Sequence, residues 1–276
     1  MGAQSDDVEA DGGAAGHVLV RRLLPSTLRG LVLRMTGYRE TRRATIGMTE
    51  AAALVVPVIF SFGEPFAIAL GRAPGAGDRI GSFTAGLTSA PALIRSEGAA
   101  HCLQIDFTPL GAYHFFGRPM HEFAECMVPL DALSDPTLAG LRERLGAERS
   151  WDRRFAIAED AILRRLGRAG GPSRAVAHAY GRIAGSGGAV RIAALAAELS
   201  WSRKHLAARF REEIGVTPKT VARIARFGRA RAMAASGTAA GWADVAAACG
   251  YADQAHLVRE YAALGGSTPG AWPARG

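Results

Sequence analysis

Hydrophobic and polar positions alternate along the chain from residue 17 to about residue 108. Leu103, Ile105 and Phe107, for example, alternate with polar neighbours, and this period of two indicates a strand with one buried face. Gly, Pro and charged residues separate such segments. The segments predicted as strands are His17–Leu24, Leu28–Met35, Leu54–Phe62, Phe66–Leu70, Phe83–Leu87, Ala92–Glu97 and His101–Thr108. Short strands in this number predict an antiparallel barrel or sandwich.

Helical periodicity replaces this alternation after Pro109. Two short helices and two longer ones are expected before residue 167, and the last of them has apolar side chains along one side. They are predicted over Leu110–Phe116, Met120–Cys126, Thr137–Leu145 and Trp151–Leu166, with Val128–Asp131 as a connector. One interpretation is that these helices cover the open end of the β-rich part.

Two segments rich in small residues divide the chain. Residues 1–16 are acidic and rich in Gly and Ala, a composition typical of a disordered tail. Residues 167–172 (GRAGGP) are interpreted as an interdomain linker. The predicted organisation is therefore an α+β multidomain chain, with a β-rich domain over residues 17–166 and a helical domain over residues 173–276.

The helical domain shows one pattern twice, at about residues 191–214 and 241–264. In each copy a short Ala-rich helix is followed by a tight turn and a longer helix. Ser202 and Asp253 stand where the longer helices begin, and their side chains can accept hydrogen bonds from exposed backbone N–H groups. This is the helix-turn-helix layout, whose second helix can lie in a major groove. Two copies joined by a long helix that begins at Pro218 are far more specific than one.

These features resemble the C-terminal DNA-binding domain of AraC-type (AraC/XylS) transcription regulators. The residues that carry the resemblance are Leu195–Ala196, Ser202, Leu206, Phe210, Gly215–Pro218, Val245–Ala246, Gly250–Tyr251, Asp253–Gln254, His256–Leu257, Tyr261 and Thr268–Pro269. The resemblance implies a sequence-specific transcription factor whose N-terminal domain is a cupin-like β-barrel that acts in sensing or dimerisation. It also offers a second interpretation of the closing helices, as a dimer surface.

The charge distribution agrees with a polyanionic partner. The chain carries a formal charge of +8. Residues 1–173 hold 19 Lys/Arg and 19 Asp/Glu, whereas residues 174–276 hold 14 and 6, so the whole excess lies in the C-terminal domain. Because phosphate contacts dominate nucleic-acid affinity, double-stranded promoter DNA is the expected partner. An Arg-rich composition with solvated surfaces is the simpler alternative, but it would not leave the first domain neutral.

The first of the two longer helices is expected to offer little to the bases. The resemblance places its base-reading positions at Lys204, Ala207 and Ala208. At 100° per residue, Lys204 and Ala208 lie opposite the apolar side formed by Leu206 and Phe210, and Ala207 lies on a flank. An alanine can at most contact a thymine methyl group, so this motif is expected to read little beyond what Lys204 allows.

The second longer helix is better equipped. Gln254 could pair bidentately with adenine, and Arg259 with guanine. Contacts to the DNA backbone, which position the protein without specifying sequence, are expected from Ser202, Arg203, Arg211, Arg226 and His256. For His256, packing is the alternative. Two unequal motifs in one chain imply an asymmetric site whose sub-sites lie about one helical turn (~10 bp) apart.

An enzyme and an architectural DNA binder are the alternative functions. Several side chains that could bind a metal ion lie close together in sequence near the end of the β-rich part. They are His101, Cys102, His114, His121, Glu122, Glu125 and Cys126. A cupin-like metal site usually contains an H-x-H pair, and the sequence has none. We therefore expect structural histidines, no metal, no cofactor and no enzymatic activity. The neutral β-rich domain argues against a purely architectural role.

The role of the β-rich domain is left open by its sequence. Its aromatic residues either line a pocket for a small effector or form the core, which is favoured: Phe60, Phe62, Phe66, Phe83, Phe107, Tyr113, Phe115 and Phe116. A homodimer through this domain and a contact with RNA polymerase are further expectations from the resemblance. The sequence has no signal-peptide pattern, no apolar run that could span a membrane and no cysteine framework, so we expect a cytoplasmic protein with reduced thiols.

Overall fold

Two antiparallel sheets make up the N-terminal part of the chain. The structure is a computed structural model that describes residues 8–11, 16–168, 170–237 and 239–271. The larger sheet has the strand order β1-β2-β3-β10-β5-β8-β11 and the smaller one β4-β9-β6-β7. These strands are β1 (Val8–Asp11), β2 (His17–Arg22), β3 (Val32–Glu40), β4 (Ile46–Glu50), β5 (Val56–Ser61), β6 (Phe66–Leu70), β7 (Arg79–Ile80), β8 (Phe83–Ala85), β9 (Ala92–Ser96), β10 (His101–Phe107) and β11 (Met127–Pro129). The predicted β-rich domain is confirmed, in the form of a sandwich.

Helices follow the sheets, as the change of periodicity predicts. They are α1 (Pro109–Phe116), α2 (Pro136–Ala147), α3 (Trp151–Leu166), α4 (Arg174–Gly185), α5 (Ile192–Glu198), α6 (Arg203–Glu213), α7 (Pro218–Ala235), α8 (Trp242–Ala248) and α9 (Gln254–Gly265). Short 3-10 helices occur at Ser26–Leu28, Ala76–Asp78, Met120–Glu122, Asp131–Leu133 and Pro269–Ala271. Among the described helices, none combines the length and the apolar character that crossing a membrane requires.

The larger sheet packs its two faces differently. Leu103, Ile105 and Phe107 of β10 are fully buried on the face that packs against α1, α2 and α3. Gly37 of β3 lies beneath Trp151 at the start of α3, where a Cβ atom would come within 2.5 Å of the indole ring. The opposite face meets the smaller sheet. The domain therefore has three layers, one of helices and two of strands.

The strand predicted over Leu28–Met35 is displaced along the chain. Residues Ser26–Leu28 form a 3-10 turn, and Gly30 adopts a φ of +80°, so the strand begins only at Val32. A left-handed φ is readily adopted by glycine and interrupts an extended segment. The apolar residues at 28 and 31 therefore belong to a turn rather than to a strand.

The helix predicted over Met120–Cys126 is wrong beyond its first turn. Only Met120–Glu122 is helical, and Glu125 has a φ of +58°. The Glu125 carboxylate accepts hydrogen bonds from the backbone N–H and the hydroxyl of Ser89, at 2.9 and 2.6 Å, which fixes the turn against the connection between β8 and β9. The chain then enters β11, whose last two residues lie in the segment predicted as a connector.

The N-terminal tail differs from the prediction in one segment. Val8–Asp11 forms β1 and pairs antiparallel with β2, from Val8 opposite Arg22 to Asp11 opposite Leu19. Backbone hydrogen bonds at a sheet edge form whatever the charge of the side chains, so an acidic composition does not exclude a strand there. Residues 1–7 and 12–15 of the predicted tail lie outside the described residues.

The β-rich part and the helical part share one hydrophobic cluster. Phe116 and Phe123, which lie between β10 and β11, belong to the same cluster as Leu206 and Phe210 of α6. The segment predicted as a linker lies between the end of α3 and the start of α4 at Arg174. The domain boundaries themselves stay a prediction.

Candidate nucleic-acid interface

The first helix-turn-helix consists of α5, a tight turn and α6. The backbone N–H of Trp201 donates to the carbonyl of Ala196 at 2.8 Å, and Ser200 between them has a φ of +55°. The Ser202 hydroxyl accepts from the backbone N–H of His205 at 3.0 Å, so it caps α6 as predicted. This turn sets the angle between the two helices. We call α6 the first recognition helix.

The second helix-turn-helix repeats these contacts with α8 and α9. The backbone N–H of Tyr251 donates to the carbonyl of Ala246 at 2.9 Å, and Gly250 has a φ of +75°. The Asp253 carboxylate accepts from the backbone N–H of His256 at 2.6 Å and caps α9. We call α9 the second recognition helix. Its equivalence with α6 can be followed residue by residue.

The second turn is one residue longer than the first. Trp201 corresponds to Tyr251, 50 positions later, whereas the cap Ser202 corresponds to the cap Asp253, 51 positions later. Ala252 is the additional residue, and it is exposed. The buried pairs keep the longer offset: Leu206 with Leu257, and Phe210 with Tyr261. Positions of the two recognition helices are therefore equivalent at an offset of 51.

Helix α7 sets the distance between the two motifs. Its 18 residues span about 27 Å, and it begins with the Thr217 cap and Pro218 that the sequence predicts. Arg223 of α7 holds Glu260 of α9 through Nε, at 2.7 and 2.9 Å from the two carboxylate oxygens. This single N–H group is shared between the two carboxylate oxygens, and the hydrogen bond is strengthened by the opposite charges. The second recognition helix is thus tied to the connecting helix.

The residues predicted to read bases lie away from the buried side of each recognition helix. Lys204 and Ala208 of α6 are exposed and Ala207 is half-buried, whereas Leu206 and Phe210 are fully buried. Gln254 and Arg259 are exposed on α9. Each helix can therefore present these positions to a groove. The contacts themselves stay a prediction.

The residues predicted to contact the DNA backbone fall into two groups. Ser202, Arg203 and Arg211 are exposed. Arg226 and His256 instead pack around Tyr251: the Arg226 guanidinium lies 5.6 Å from the ring centroid, and the His256 ring lies edge-on at 5.3 Å. His256 Nδ1 also accepts from the backbone N–H of Ala252 at 3.4 Å. Packing, the alternative considered for His256, is thus present here.

The tryptophans at the two motifs pack within them. Trp201 lies edge-on to His205, with ring centroids 4.5 Å apart. Trp242 lies edge-on to the buried Tyr261 at 5.4 Å. Both indole groups are half-buried and contact hydrophobic clusters. Each ring therefore stabilises its own motif.

A cavity of about 610 Å³ separates the two sheets of the N-terminal domain. The sequence left open whether the aromatic residues of this domain line a pocket or form the core. Phe66 and Phe83 line the cavity, and the residues of the main buried core include Phe60, Phe107, Phe115 and Phe116. Phe66 and Phe83 are themselves buried in a separate hydrophobic cluster, so these two residues belong both to the core and to the cavity wall. The sequence did not locate the cavity.

Charged residues line one region of this cavity. Asp106 is buried, pairs with Arg34 and accepts from the Gln104 amide at 2.8 Å. Glu50 of β4 also lines the cavity, and burial, followed by the Asp106 carboxylate, raises the pKa of Glu50. Arg231 of α7 completes this region from the helical side. The sequence analysis missed Glu50 because it did not predict β4.

The cavity wall continues into the second motif. Thr49, Glu50 and Ala51 line the cavity, and the next residue, Ala52, donates from its backbone N–H to the carbonyl of Leu264 at 2.8 Å. Ala52 is only 4% exposed, inside the hydrophobic cluster of the second motif. The connection from β4 to β5 is therefore in direct contact with the end of the second recognition helix.

The histidines and cysteines that could suggest a metal site are dispersed. No group of three or more His, Cys, Asp or Glu side chains in the described part of the chain could hold a metal ion. His101 instead accepts a 2.8 Å contact from Arg154, and Cys102 is a buried free thiol.

The match to a protein family covers both motifs described above. A family model described as a helix-turn-helix domain matches residues 195–275. ToxT from Vibrio cholerae is a structural neighbour with TM-score 0.46 and 11% identity, covering 85% of this chain and 95% of that chain. The structure of ToxT bound to an unsaturated fatty acid has a TM-score of 0.44 and 8% identity, covering 87% of this chain and 94% of that chain. The AraC-like transcriptional activator CuxR has a TM-score of 0.32 and 15% identity, covering 79% of this chain and 83% of that chain.

Similarity to solved structures at this level says nothing further about function. Comparison of the sequence with curated proteins gives no match. The assignment rests on the match at residues 195–275, which contains both recognition helices and the helix between them. Residues 195–275 therefore form a helix-turn-helix domain, the part of the chain that resembles the AraC-type transcription regulators.

Proposed function

We propose that this transcription factor binds promoter DNA by placing its two recognition helices in successive major grooves. The observation that carries the proposal is the pair of equivalent, capped helices held at the two ends of α7, each with a buried apolar side and an exposed opposite side. Motifs fixed at this spacing suit sub-sites on one face of the DNA, about one turn apart.

The two recognition helices have unequal roles. On α9, Gln254 and Arg259 supply groups that can pair with adenine and guanine. On α6, Lys204 is the long side chain among the three base-reading positions, since Ala207 and Ala208 can contact only a thymine methyl group. Ser202, Arg203 and Arg211 are exposed, which supports the phosphate contacts predicted for them. Specificity should therefore be greater in the second sub-site.

A small effector in the N-terminal cavity is the second part of the proposal. The cavity is enclosed by both sheets and has charged and apolar regions, which is typical of ligand sites. Its wall continues through Ala52 to the end of α9. An occupant that moves the end of β4 would therefore change the position of the second recognition helix relative to the first.

Three further features belong to the same proposal. A homodimer could form through the N-terminal domain, where Leu163 is exposed on the outer side of α3. A contact with RNA polymerase and a cytoplasmic location follow from action at promoters. We propose no catalytic activity, because the AraC-type regulators that the C-terminal domain resembles act by binding DNA.

The test is selection of genomic fragments by the full-length protein at near-physiological salt, followed by footprinting. The expected result is an asymmetric protected site with two sub-sites one helical turn apart. Arg259→Ala should cost ~1–3 kcal/mol and relax one base position, whereas Arg211→Ala should weaken all sequences alike. Binding that is sensitive to salt but indifferent to sequence would support the architectural alternative instead.

A further inference from the structure

The equivalence of the two motifs changes the expected role of Arg203. With the caps Ser202 and Asp253 superposed, Arg203 and Gln254 are each the first residue of their recognition helix. Both are exposed. Arg203 was expected to contact the DNA backbone and Gln254 a base, yet the same backbone hydrogen bond fixes both positions. Two positions fixed in the same way should approach the groove in the same way.

The lengths of the side chains along the first recognition helix also favour a base contact by Arg203. Ala208 is the counterpart of Arg259, so the second turn of α6 carries a methyl group where α9 carries a guanidinium. The small side chains at 207 and 208 let the α6 backbone approach the base edges closely. The N-terminal residues of a recognition helix are the ones that contact base edges. In α6 these are Arg203 and Lys204.

The charge at the start of α6 is unfavourable in the protein alone. The first turn of α6 contains Arg203 and Lys204 and no acidic residue, although the N-terminus of a helix favours negative charge. Within the described residues, neither side chain has a hydrogen bond or an ion pair. An external acceptor would remove this disadvantage.

We infer that Arg203 reads a guanine in the first sub-site, through a bidentate contact from its guanidinium to guanine O6 and N7. The planar guanidinium matches that pair of acceptors, and its position at the start of the recognition helix is the one from which base edges are contacted. The first motif then reads sequence from its first turn, and the second motif from both turns. This inference rests on the proposed function and names a further residue that determines its specificity.

The experiment combines a protein change with a DNA change. Full-length wild-type protein and Arg203→Ala are titrated with the selected site, and with sites in which each guanine of the first sub-site is replaced in turn by 7-deazaguanine, which lacks the N7 acceptor. At one position the analogue should weaken wild-type binding, and Arg203→Ala should no longer respond to it. Loss of a bidentate contact corresponds to roughly 5- to 150-fold in affinity.

Two controls separate the inference from simpler effects. Arg211→Ala removes an exposed arginine from the same helix and should leave the response to the analogue intact. Arg203→Lys keeps the charge but loses the planar fork, so its response to the analogue should be reduced, whereas a phosphate contact would give no response to the analogue in either protein. Thermal unfolding should show that each variant keeps its fold, because Arg203 has no partner within the described residues.

The inference is overturned if Arg203→Ala weakens all sites by one factor and still responds to 7-deazaguanine at every position. If base preference that depends on Arg259 persists in the second sub-site, only this inference fails. If wild-type protein shows no base preference in either sub-site, the proposed sequence-specific function fails with it.

Discussion

The carboxylate of Glu213 accepts hydrogen bonds from both the backbone N–H and the hydroxyl of Ser173, at 2.7 and 2.9 Å. Glu213 lies at the end of the first recognition helix and is fully buried, and Ser173 caps α4 directly after the predicted linker. Arg209 balances the buried charge from the preceding turn, at 2.6 Å. The chain leaving the linker is therefore held against the first motif.

Replacing Glu213 by Gln should destabilise the helical part. The amide keeps the shape but loses the charge that Ser173 and Arg209 contact, so a cost of about 1–3 kcal/mol in the free energy of unfolding is expected. Glu212→Gln is the matched control, because that carboxylate is half-buried and contacts only Arg209 in the described structure. Its effect should stay within about 0.5 kcal/mol. Denaturant titration of the full-length variants measures both values, and equal losses would contradict the role given to Glu213.

The two turns should respond in opposite directions to exchanging their left-handed residues. Ser200 and Gly250 occupy equivalent positions, with φ of +55° and +75°. A left-handed φ disfavours a residue with a Cβ atom, so Gly250→Ser should lower stability by about 1 kcal/mol and Ser200→Gly should raise it by up to about the same amount. Thermal unfolding measures both changes. A loss of stability in both variants would show that side-chain contacts at these turns outweigh the backbone preference.

The helix-turn-helix domain could be predicted from the sequence because each element of it is encoded locally. Ser202, Asp253 and Thr217 cap the helices that they were expected to cap, and each accepts a backbone N–H. Leu206 and Phe210 are buried where the helical period places them. The equivalence of Arg203 with Gln254 was also present in the sequence, in the spacing of each from its cap.

The cavity could not be predicted, since it depends on contacts between distant strands. Met48 and Glu50 of β4 line the space between the sheets opposite residues of β10, and β4 has too few apolar residues to show a strand period. Glu125 has a left-handed φ and accepts a hydrogen bond from Ser89, which is far away in sequence. This long-range contact accompanies the early end of the predicted helix. Such features are decided by tertiary packing.

His101 should make stability depend on pH. Its Nε2 lies 2.8 Å from Nη1 of Arg154, a guanidinium that is only 5% exposed. Burial, then Arg154 and Arg39, lower the pKa of His101 to about 4. The unfolded chain has the ordinary value of about 6.5 and so binds the proton more readily. This contribution to stability is present above pH ~6.5 and is lost as the pH falls towards 4.

The measurement is denaturant unfolding at pH 7.5 and pH 4.5, for wild type and His101→Gln. The Gln amide oxygen can accept from Arg154 without titrating. Because the ring is half-buried, the wild type should lose only about 1–2 kcal/mol more than the variant between these pH values. Identical losses in the two proteins would show that protonation of His101 is tolerated in the folded state.

The contact between Ala52 and Leu264 should couple the cavity to the second recognition helix alone. Ala52→Leu would overfill the cluster around Ala52 and push the connection between β4 and β5 away from α9. Loss of this support should weaken binding to the second sub-site by about 1–3 kcal/mol, the usual size of a coupling between sites, and leave the first sub-site unchanged. Footprint titrations that follow each sub-site separately give the two affinities. Ala139→Leu, at an exposed position of α2, is the control and should change neither. Equal weakening of both sub-sites by Ala52→Leu would mean that the β4–β5 connection supports the whole helical part, and not the second recognition helix specifically.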